Sequence, residues 1–245
     1  MGYEKKCDLH VHTVLSPCGD DKMLPGMIVT EAKNKKMDCL GITDHNSTEN
    51  IQSVRKVAEK FGIDVLGGIE ITSKEEVHML AFFDDEIAIK NMHDIIYQNL
   101  EGENDENVFG KQNIVDEFDN TIGYNKKLLI GATELGVAEI VSIVHSLSGI
   151  IFASHVDRES FSILSQLGFI PEGLSFDGLE ISSNSTNEDF LKKFPEYKKF
   201  PIVSFSDAHF LEDIGKVCTV FKVDKISVKE IKKVITDGGY FITYS

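Results

Sequence analysis

Four short clusters of histidine and carboxylate residues are candidates for binding metal ions. Side chains alternate faces along a strand, so residues two positions apart point the same way. The first and last clusters have this spacing, in His10 with His12 and in Asp207 with His209. Imidazole and carboxylate ligands together suit Zn, Mn or Fe. The clusters are Asp8-Leu9-His10-Val11-His12, Thr43-Asp44-His45, Gly68-Ile69-Glu70 and Ser206-Asp207-Ala208-His209.

Two further histidines lie between these clusters. His78 stands in an apolar stretch, and His155 directly follows the apolar run Ile150–Ser154. Each has an alternative as a buried, hydrogen-bonded core histidine, but strands that join the same sheet would bring both to the other ligands. The candidates are too many for one ion and too dispersed for a zinc finger. The sequence therefore predicts a multinuclear catalytic site with two or three divalent ions.

Three charged residues accompany the candidate ligands. Asp44 precedes His45 and points to the opposite face, so we expect it to orient a ligand or to assist catalysis rather than to bind metal. Glu180 also ends a strand, and the sequence leaves its role open. Arg158 follows His155 by three residues and is one of only two arginines, the other being Arg55. A guanidinium fork matches phosphate geometry, so we predict substrate binding by Arg158, the alternative being a surface cation.

The bulk composition is that of a soluble globular protein. Of its 245 residues, 42% are hydrophobic and 27% charged, and the formal net charge is −15. Such a charge argues against tight binding of duplex nucleic acid, which needs clustered lysine and arginine. A small phosphorylated substrate or a short oligonucleotide stays compatible, because bound divalent ions would offset part of the charge.

The chain shows no sign of secretion or membrane insertion. Its first residues lack the apolar segment of a signal peptide, and no apolar run approaches the roughly 20 residues of a membrane span. The cysteines form no C-x-x-C pair and suggest no disulfide framework. We therefore expect a reduced, cytoplasmic protein, and the sequence does not define its oligomeric state. The cysteines are Cys7, Cys18, Cys39 and Cys218.

Strand and helix patterns alternate along most of the chain, which predicts an α/β fold with a mostly parallel sheet. The candidate ligands fall at the carboxyl ends of several strands, where barrel enzymes carry their chemistry. An open sheet would spread them along a line, whereas a closed barrel brings them to one mouth. The acidic stretch Glu101–Asn107 and a hairpin around Asp119-Asn120 mark residues 101–130 as an insertion. We therefore predict one domain over residues 1–245.

The order of these motifs resembles the PHP (polymerase and histidinol phosphatase) superfamily. H-x-H, T-D-H, G-x-E, a later histidine and D-x-H span His10 to His209. The resemblance implies a distorted (β/α)7 barrel, up to three metal ions and hydrolysis of phosphoesters. It also implies the ligand sets. These are His10, His12, Glu70 and Asp207 for one ion; Glu70, His78 and His155 for a second; and His45, His209 and one residue of the loop after His12 for a third.

That last residue is where the sequence departs from its relatives, many of which place Asp there and others His. Counting forward from His12 selects Cys18, and counting back from Pro25 selects Asp20. Asp20 is the first choice, because the hard metals of phosphoesterases accept carboxylate, and Cys18 is the second. A Cys18 thiolate would favour zinc and would be prone to oxidation.

These residues together predict a metal-dependent phosphoesterase that uses a metal-activated water as its nucleophile. His209 is a candidate proton donor to the leaving group as well as a ligand. One alternative is a metal-dependent amidohydrolase, which is disfavoured because no strand lysine is in position to bridge metals. The other is a non-catalytic metal-binding module, which is disfavoured because the ligand set is nearly complete.

Overall fold

A computed structural model describes residues 2–244. Eight helices are found in this range: α1 (Pro25–Asn34), α2 (Ile51–Phe61), α3 (Glu86–Gln98), α4 (Glu106–Phe109), α5 (Val137–Ser146), α6 (Ile163–Leu167), α7 (Asn187–Lys193) and α8 (Val228–Asp237). Eleven strands accompany them: β1 (Tyr3–Val11), β2 (Cys39–Ile42), β3 (Asp64–Thr72), β4 (His78–Phe83), β5 (Asn113–Val115), β6 (Thr121–Tyr124), β7 (Ile150–Ala153), β8 (Gly178–Ile181), β9 (Ile202–Ser204), β10 (Val217–Val223) and β11 (Tyr240–Tyr244). Two short 3-10 helices cover Pro195–Lys199 and Leu211–Asp213.

Nine strands form one sheet in the order β11-β10-β1-β2-β3-β4-β7-β8-β9. The segment after β9 returns to β1 and nearly closes this sheet into a barrel. The Ala208 N–H donates to the His10 carbonyl and the His12 N–H to the Ala208 carbonyl, both at 3.0 Å. The wall of the barrel thus consists of β1 to β4 and β7 to β9, which confirms the distorted seven-stranded barrel.

The expectation of a mostly parallel sheet is wrong. Within the nine-stranded sheet, four pairings of the described strands are parallel and four are antiparallel. The reason lies between β3 and β4, where the turn from Ser73 to Val77 is too short for a crossover helix and closes a hairpin instead. Because β4 runs against β3, its first residue, His78, pairs with Thr72 at the end of β3. An antiparallel strand therefore delivers its ligand from its amino end.

Local signals explain several helix boundaries. Pro25 occupies the first turn of α1, where its missing N–H costs nothing. Ser227 caps α8, since its Oγ accepts the Glu230 N–H at 3.2 Å. The sequence pattern predicts a helix over Ser160–Leu167, but α6 begins only at Ile163. Phe161 has a φ of +56°, which no right-handed helix accommodates, and Ser162 caps the shortened helix.

The insertion at residues 101–130 contains the expected hairpin. Strands β5 and β6 pair antiparallel in a separate two-stranded sheet. The sequence pattern predicts strands over Asn113–Phe118 and Gly123–Leu129, so both are shorter than predicted, and β6 begins two residues earlier. The Asp116 carboxylate closes the turn by accepting the N–H groups of Phe118 and Asn120, each at 2.9 Å. The insertion continues to Ile130, which reaches the barrel mouth.

An apolar cluster fills the barrel below the mouth. Residues directly opposite one another on paired strands share a face. Glu70 stands opposite Leu80, and Leu80 stands opposite Phe152, so the face that carries the carboxylate continues into this cluster. The Phe82 and Phe152 rings lie 6.3 Å apart in an edge-to-face arrangement. No helix within residues 2–244 is long and apolar enough to cross a membrane.

Candidate metal centre

The Glu70 carboxylate lies at the centre of the barrel mouth. Both of its oxygens are surrounded by imidazoles, and the residue is 1% exposed. Glu70 Oε1 lies 3.4 Å from His10 Nε2, 3.1 Å from His78 Nδ1 and 3.4 Å from His155 Nε2. Glu70 Oε2 lies 3.3 Å from His12 Nε2 and 3.1 Å from His45 Nδ1. One carboxylate in contact with five histidines can belong to more than one set of ligands.

A first set of potential ligands, the carboxylate cluster, consists of His10, His12, Glu70 and Asp207, whose ligand atoms all lie within 4.8 Å of one another. Asp207 Oδ1 lies 3.1 Å from His10 Nε2 and 3.3 Å from His12 Nε2. The two histidines converge because they stand two positions apart at the end of β1. The structure thus brings together the four residues that the resemblance implies for one ion.

A second set, the bridge cluster, consists of His45, Glu70 and His78. The resemblance implies His155 rather than His45 as the partner of Glu70 and His78. His155 is nearby, with its ring centre 5.4 Å from that of His78, but it is not within this tight set. His155 and Asp207 also have left-handed backbone conformations, with φ of +30° and +52°. Unfavourable backbone conformations of this kind concentrate at functional sites.

A third set, the thiol cluster, consists of His12, Cys18, His45 and His209. Cys18 Sγ lies 3.0 Å from His209 Nε2. Asp20 does not belong to this set, because its carboxylate accepts the Lys22 N–H at 3.0 Å in a local turn. The geometry therefore reverses the order of preference drawn from the sequence, which placed Asp20 before Cys18. Counting forward from His12 selects the residue that faces the other ligands.

In His10 and His12, the ring nitrogen that points away from the cluster is held by a neighbour. His10 Nδ1 lies 2.9 Å from Glu180 Oε1, and His12 Nδ1 lies 2.9 Å from Ser16 Oγ. Such partners fix ring orientation and leave the other nitrogen free for a metal. Glu180 also accepts the His155 N–H at 3.0 Å, so it supports two candidate ligands. Sequence reasoning left Glu180 open, and its place at the end of β8 was the only signal.

Asp44 has a supporting role. Its Oδ1 accepts the Thr13 N–H and the Ser16 hydroxyl, both at 2.7 Å, and its Oδ2 accepts the Thr13 hydroxyl at 2.8 Å. The carboxylate is 1% exposed and is occupied by the loop after β1. This agrees with its expected part in orienting ligands, since Ser16 in turn contacts His12. The expectation that Asp44 takes part directly in catalysis finds no support in this geometry.

The charges of the carboxylate cluster are mutually compensated. Burial alone would raise the pKa of the Glu70 carboxyl, but the imidazoles of His78 and His10 hold that pKa well below its usual value. Burial alone would lower the pKa of His12, but hydrogen bonds to Asp207 and Glu70 raise it to about 9. A cation that binds here would replace the protons of these imidazoles.

The thiol cluster has the opposite electrostatic character. Burial lowers the pKa of His45 well below its usual value and lowers the pKa of His209 to about 4. Both imidazoles are therefore neutral at pH 7, which is the form that binds metal. Enclosure of its sulfur raises the pKa of the Cys18 thiol, so a cation would have to displace that proton.

The donors present fit a metal centre. Imidazole, carboxylate and thiolate are the ligands that transition metals select. Four buried polar atoms of the site lack a hydrogen-bond partner: His45 Nδ1, Glu70 Oε1, His78 Nε2 and His155 Nδ1. Buried polar atoms without partners are rare in proteins, because each costs free energy. Metal coordination would satisfy His45 Nδ1 and Glu70 Oε1, which face the other ligands.

Arg158 lies at the rim of this site. Its Nη1 is 2.6 Å from Asp207 Oδ2, and its side chain is 38% exposed. Burial lowers its pKa, but the Asp207 charge more than compensates, so the guanidinium stays charged. Arg158 and Asp207 both line a cavity of about 180 Å³ that also contains Cys18, His45 and His155.

A nearly closed seven-stranded barrel with imidazoles and carboxylates converging at one mouth defines a class of barrel proteins with a candidate metal centre at the mouth. A family model described as the PHP domain matches residues 8–168, and another described as PHP-associated matches residues 185–239. The first covers well over half of the chain, so the chain belongs to the PHP family. The resemblance drawn from the motifs is confirmed.

Two curated proteins show partial similarity. An uncharacterised protein of Methanocaldococcus jannaschii is 32% identical over 90 residues, which are 34% of this chain and 53% of that protein. A phosphoribosyl 1,2-cyclic phosphate 1,2-diphosphodiesterase of Eggerthella lenta is 31% identical over 78 residues, or 30% of this chain and 29% of that enzyme. The chain thus spans about half the length of the first relative and under a third of the second.

The solved structures extend the similarity in fold to almost the whole chain. The lesion-specific endonuclease EndoQ of Pyrococcus furiosus superposes with a TM-score of 0.73 at 19% identity, covering 98% of this chain and 58% of that one. A structure of Endonuclease Q with a 27-mer DNA duplex gives a TM-score of 0.72 at 18% identity, covering 97% and 57%. At these identities the comparison establishes the fold alone.

Proposed function

We propose that this protein is a metal-dependent hydrolase of phosphoester bonds that acts on a small phosphorylated substrate or on the end of a short oligonucleotide. The observation that carries the proposal is the convergence of three ligand sets on Glu70 and His12 beside the charged Arg158. Its relatives support the reaction class, because one is named a cyclic phosphate diphosphodiesterase and another an endonuclease.

The metal ligands are proposed as follows. The carboxylate cluster would hold one divalent ion, Glu70 and His78 with His45 or His155 a second, and the thiol cluster a third. Zn, Mn and Fe suit the imidazole and carboxylate donors, and the Cys18 thiolate favours Zn at the third site. Bound ions would supply Lewis-acid stabilisation of the phosphoryl oxygens and would acidify a nucleophilic water.

The protein's own groups would orient the substrate. Arg158 would donate two N–H groups to phosphate oxygens, and its contact with Asp207 holds the guanidinium beside the carboxylate cluster. His209 was predicted both as a ligand and as a proton donor. Its pKa of about 4 leaves it neutral at pH 7, and its Nε2 faces Cys18, so we assign it the ligand role.

Two alternatives remain distinguishable. The described residues that line the cavity include no lysine, so the bridging lysine of an amidohydrolase has no counterpart there. A module without catalytic activity would bind metal and turn over nothing. An assay with amide and phosphoester substrates, together with metal analysis, separates all three roles.

The experiment that tests the function is a screen of phosphomonoesters and phosphodiesters with Mn- or Zn-loaded protein. We expect turnover of at least one class, and Arg158→Ala should lower its kcat/KM by about 10- to 150-fold, because charge-assisted hydrogen bonds contribute about 1.5–3 kcal/mol. Arg158→Lys, which keeps the charge but loses the fork, should recover only part of this loss. Metal content should match wild type in both variants.

If Arg158→Ala has the same kinetics as wild type, Arg158 is a surface cation that does not bind substrate. Two or three bound metal ions without turnover of any ester would contradict the enzymatic proposal. Failure to bind any metal after addition of Mn, Fe or Zn would exclude the metal centre itself.

The domain organisation, the binding of duplex nucleic acid and the location of the protein are also proposals. We take residues 1–245 as one domain with an insertion at 101–130, because one sheet includes strands from both matched family segments. The net charge of −15 supports weak rather than tight binding of duplex nucleic acid, although one structural neighbour is bound to a DNA duplex. A cytoplasmic location stays a prediction.

A further inference from the structure

One loop, residues 155–162, delivers three different side chains to the cavity. His155, Arg158 and Phe161 follow one another at intervals of three residues, and all three line it. The Arg158 N–H donates to the His155 carbonyl at 2.9 Å, and the Ser162 hydroxyl donates to the Arg158 carbonyl at 2.7 Å. A candidate metal ligand, a cation and an aromatic ring are thus held in one turn of the chain.

The backbone of Phe161 is held in an unfavourable conformation. Its φ is +56°, a region that residues with bulky side chains rarely adopt. Its carbonyl accepts the N–H of His78, the first residue of β4, at 2.8 Å. Strain of this kind persists where the surrounding structure imposes it, and it concentrates at functional sites. The conformation carries the ring to the mouth instead of into helix α6.

The Phe161 ring is not part of the hydrophobic core. It stacks on the His78 ring with centres 4.7 Å apart and planes inclined by 18°, yet the residue is 40% exposed. Because His78 covers one face of the ring, a substrate can reach the opposite face and the edge. Ile130 of the insertion lines the same cavity and is half-buried. Phe161 and Ile130 form what we call the apolar wall.

The size of the cavity indicates what the apolar wall contacts. About 180 Å³ is small beside the roughly 300–1,000 Å³ of typical ligand pockets. The cavity therefore has room for a phosphate group, and the rest of the substrate must lie across the rim. An apolar, partly exposed aromatic ring at that rim suits a flat π system, since bases stack on aromatic side chains.

We propose that the apolar wall is a stacking surface for a nucleobase, and that the site therefore prefers phosphoesters of nucleosides to esters of small polar alcohols. This inference rests on the proposed phosphoesterase function and names its substrate class. A mononucleotide and the terminal nucleotide of a short oligonucleotide share this chemistry. Arg158 would bind the phosphate while Phe161 stacks on the base attached through the sugar.

The test compares a nucleoside 5′-monophosphate with ribose 5-phosphate, which lacks only the base, in the metal-loaded full chain. Stacking is worth about 5- to 150-fold, the equivalent of about 1–3 kcal/mol. We expect wild type to have a kcat/KM for the nucleotide that is higher by this factor. Phe161→Leu should lose this preference, while its turnover of ribose 5-phosphate should stay within about 2-fold of the wild-type value. Phe161→Tyr should keep it. Phe169→Leu is the matched control, since Phe169 is 59% exposed and is absent from the cavity lining.

Elemental analysis of each variant separates stacking from support of His78. Equal losses for both substrates together with loss of metal would show that Phe161 only supports His78, and would overturn the proposal. Equal turnover of both substrates by wild type would also overturn it. The kcat/KM for a 5′-phosphorylated tetranucleotide is then compared with that for the mononucleotide. The higher value shows whether the stacked base belongs to a mononucleotide or to the terminal nucleotide of an oligonucleotide.

Failure of the phosphoesterase function gives a different result, namely no turnover of either ester. Equilibrium dialysis then decides the stacking proposal. A preference of about 5-fold or more for the nucleotide that disappears in Phe161→Leu supports it, and equal affinity of wild type for the nucleotide and ribose 5-phosphate refutes it.

Discussion

The carboxylate cluster and the thiol cluster share His12 but are built differently. The residues of the carboxylate cluster include His10 and Glu70, which lie within strands β1 and β3 and are buried. Cys18 of the thiol cluster comes from the irregular loop after β1 and is partly exposed. Ligands fixed by strand pairing are positioned by the whole barrel, whereas a loop ligand depends on local turns. The first cluster is accordingly fixed by strand pairing, whereas the second needs the turns of one loop to place its thiol.

The largest expected effect comes from Glu70, which the carboxylate cluster shares with the bridge cluster. Glu70→Gln keeps the size of the side chain but removes the charge that contacts five imidazoles. We expect the loss of at least two metal ions per chain and a fall in phosphoesterase activity of at least about 10³-fold, because metal ions contribute several kcal/mol to the transition state. Elemental analysis and steady-state kinetics measure both effects.

The exposed Glu172→Gln is the matched control and should behave as wild type. Full metal occupancy in Glu70→Gln would mean that neither the carboxylate cluster nor the bridge cluster needs the Glu70 charge to hold its ion.

The loop offers a sharper comparison between Cys18 and Asp20. Cys18→Ser should lose about one metal ion per chain, because a hydroxyl is a much poorer ligand for Zn than a thiolate. Asp20→Ala should keep all of them, because its carboxylate only closes a turn with Lys22. In cobalt-loaded protein, the near-ultraviolet absorption of a sulfur–cobalt bond should be present in wild type and Asp20→Ala and absent in Cys18→Ser.

The reverse pattern, with metal lost from Asp20→Ala and kept in Cys18→Ser, would restore the preference drawn from the sequence. Unchanged metal content in both variants would show that the loop completes no metal site.

The barrel was predictable from the alternation of strands and helices with candidate ligands at strand ends, whereas the ligand set of the carboxylate cluster was implied by the resemblance to the PHP superfamily. The spacing of His10 and His12 determines that they share a face, and an apolar run before each motif predicts a strand. The direction of β4 was not predictable from alternation alone. The short interval between Ile71 and His78 did contain that information, since it leaves no room for a helix.

The loop ligand was harder to predict for a physical reason. A strand fixes the direction of each side chain by its period of two, but a loop of irregular backbone has no period. Two ways of counting therefore selected Cys18 and Asp20, and only the general preference of phosphoesterase metals for carboxylate placed Asp20 first. Glu180 was left open for a similar reason, since its contact with His10 joins residues that are 170 positions apart. Only the folded barrel brings them together.

Glu180 tests how far the carboxylate cluster depends on its supports. Glu180→Gln should weaken metal binding at that cluster by about 10- to 100-fold, because partners of ligand histidines typically contribute this much. The thiol cluster should keep its affinity, since Glu180 contacts none of its members. Titration against a competing chelator resolves the two classes of site, and the exposed Glu188→Gln is the control. Equal weakening of metal binding at every site would show that the carboxylate cluster and the thiol cluster do not bind metal independently.

The smallest expected effect is on stability as a function of pH, and here the two clusters differ in sign. In chelator-treated protein, His12 has a folded pKa of about 9 against an ordinary 6.5. Its contribution to the free energy of unfolding is up to about 3 kcal/mol. This contribution is fully present below pH 6.5 and is lost as the pH rises to 9. His209 has a pKa lowered to about 4, so its protonation destabilises the fold as the pH falls from 6.5 to 4.

Urea unfolding of wild type, His12→Gln and His209→Gln across pH 4–9 gives each contribution as a difference from wild type. His209→Gln should flatten the acidic side of the curve. His12→Gln should flatten the alkaline side and part of the acidic side, because the His12 charge helps to lower the pKa of His209. The same slope in both variants would mean that the clusters titrate as one unit, because their shared residue couples them too strongly to be separated.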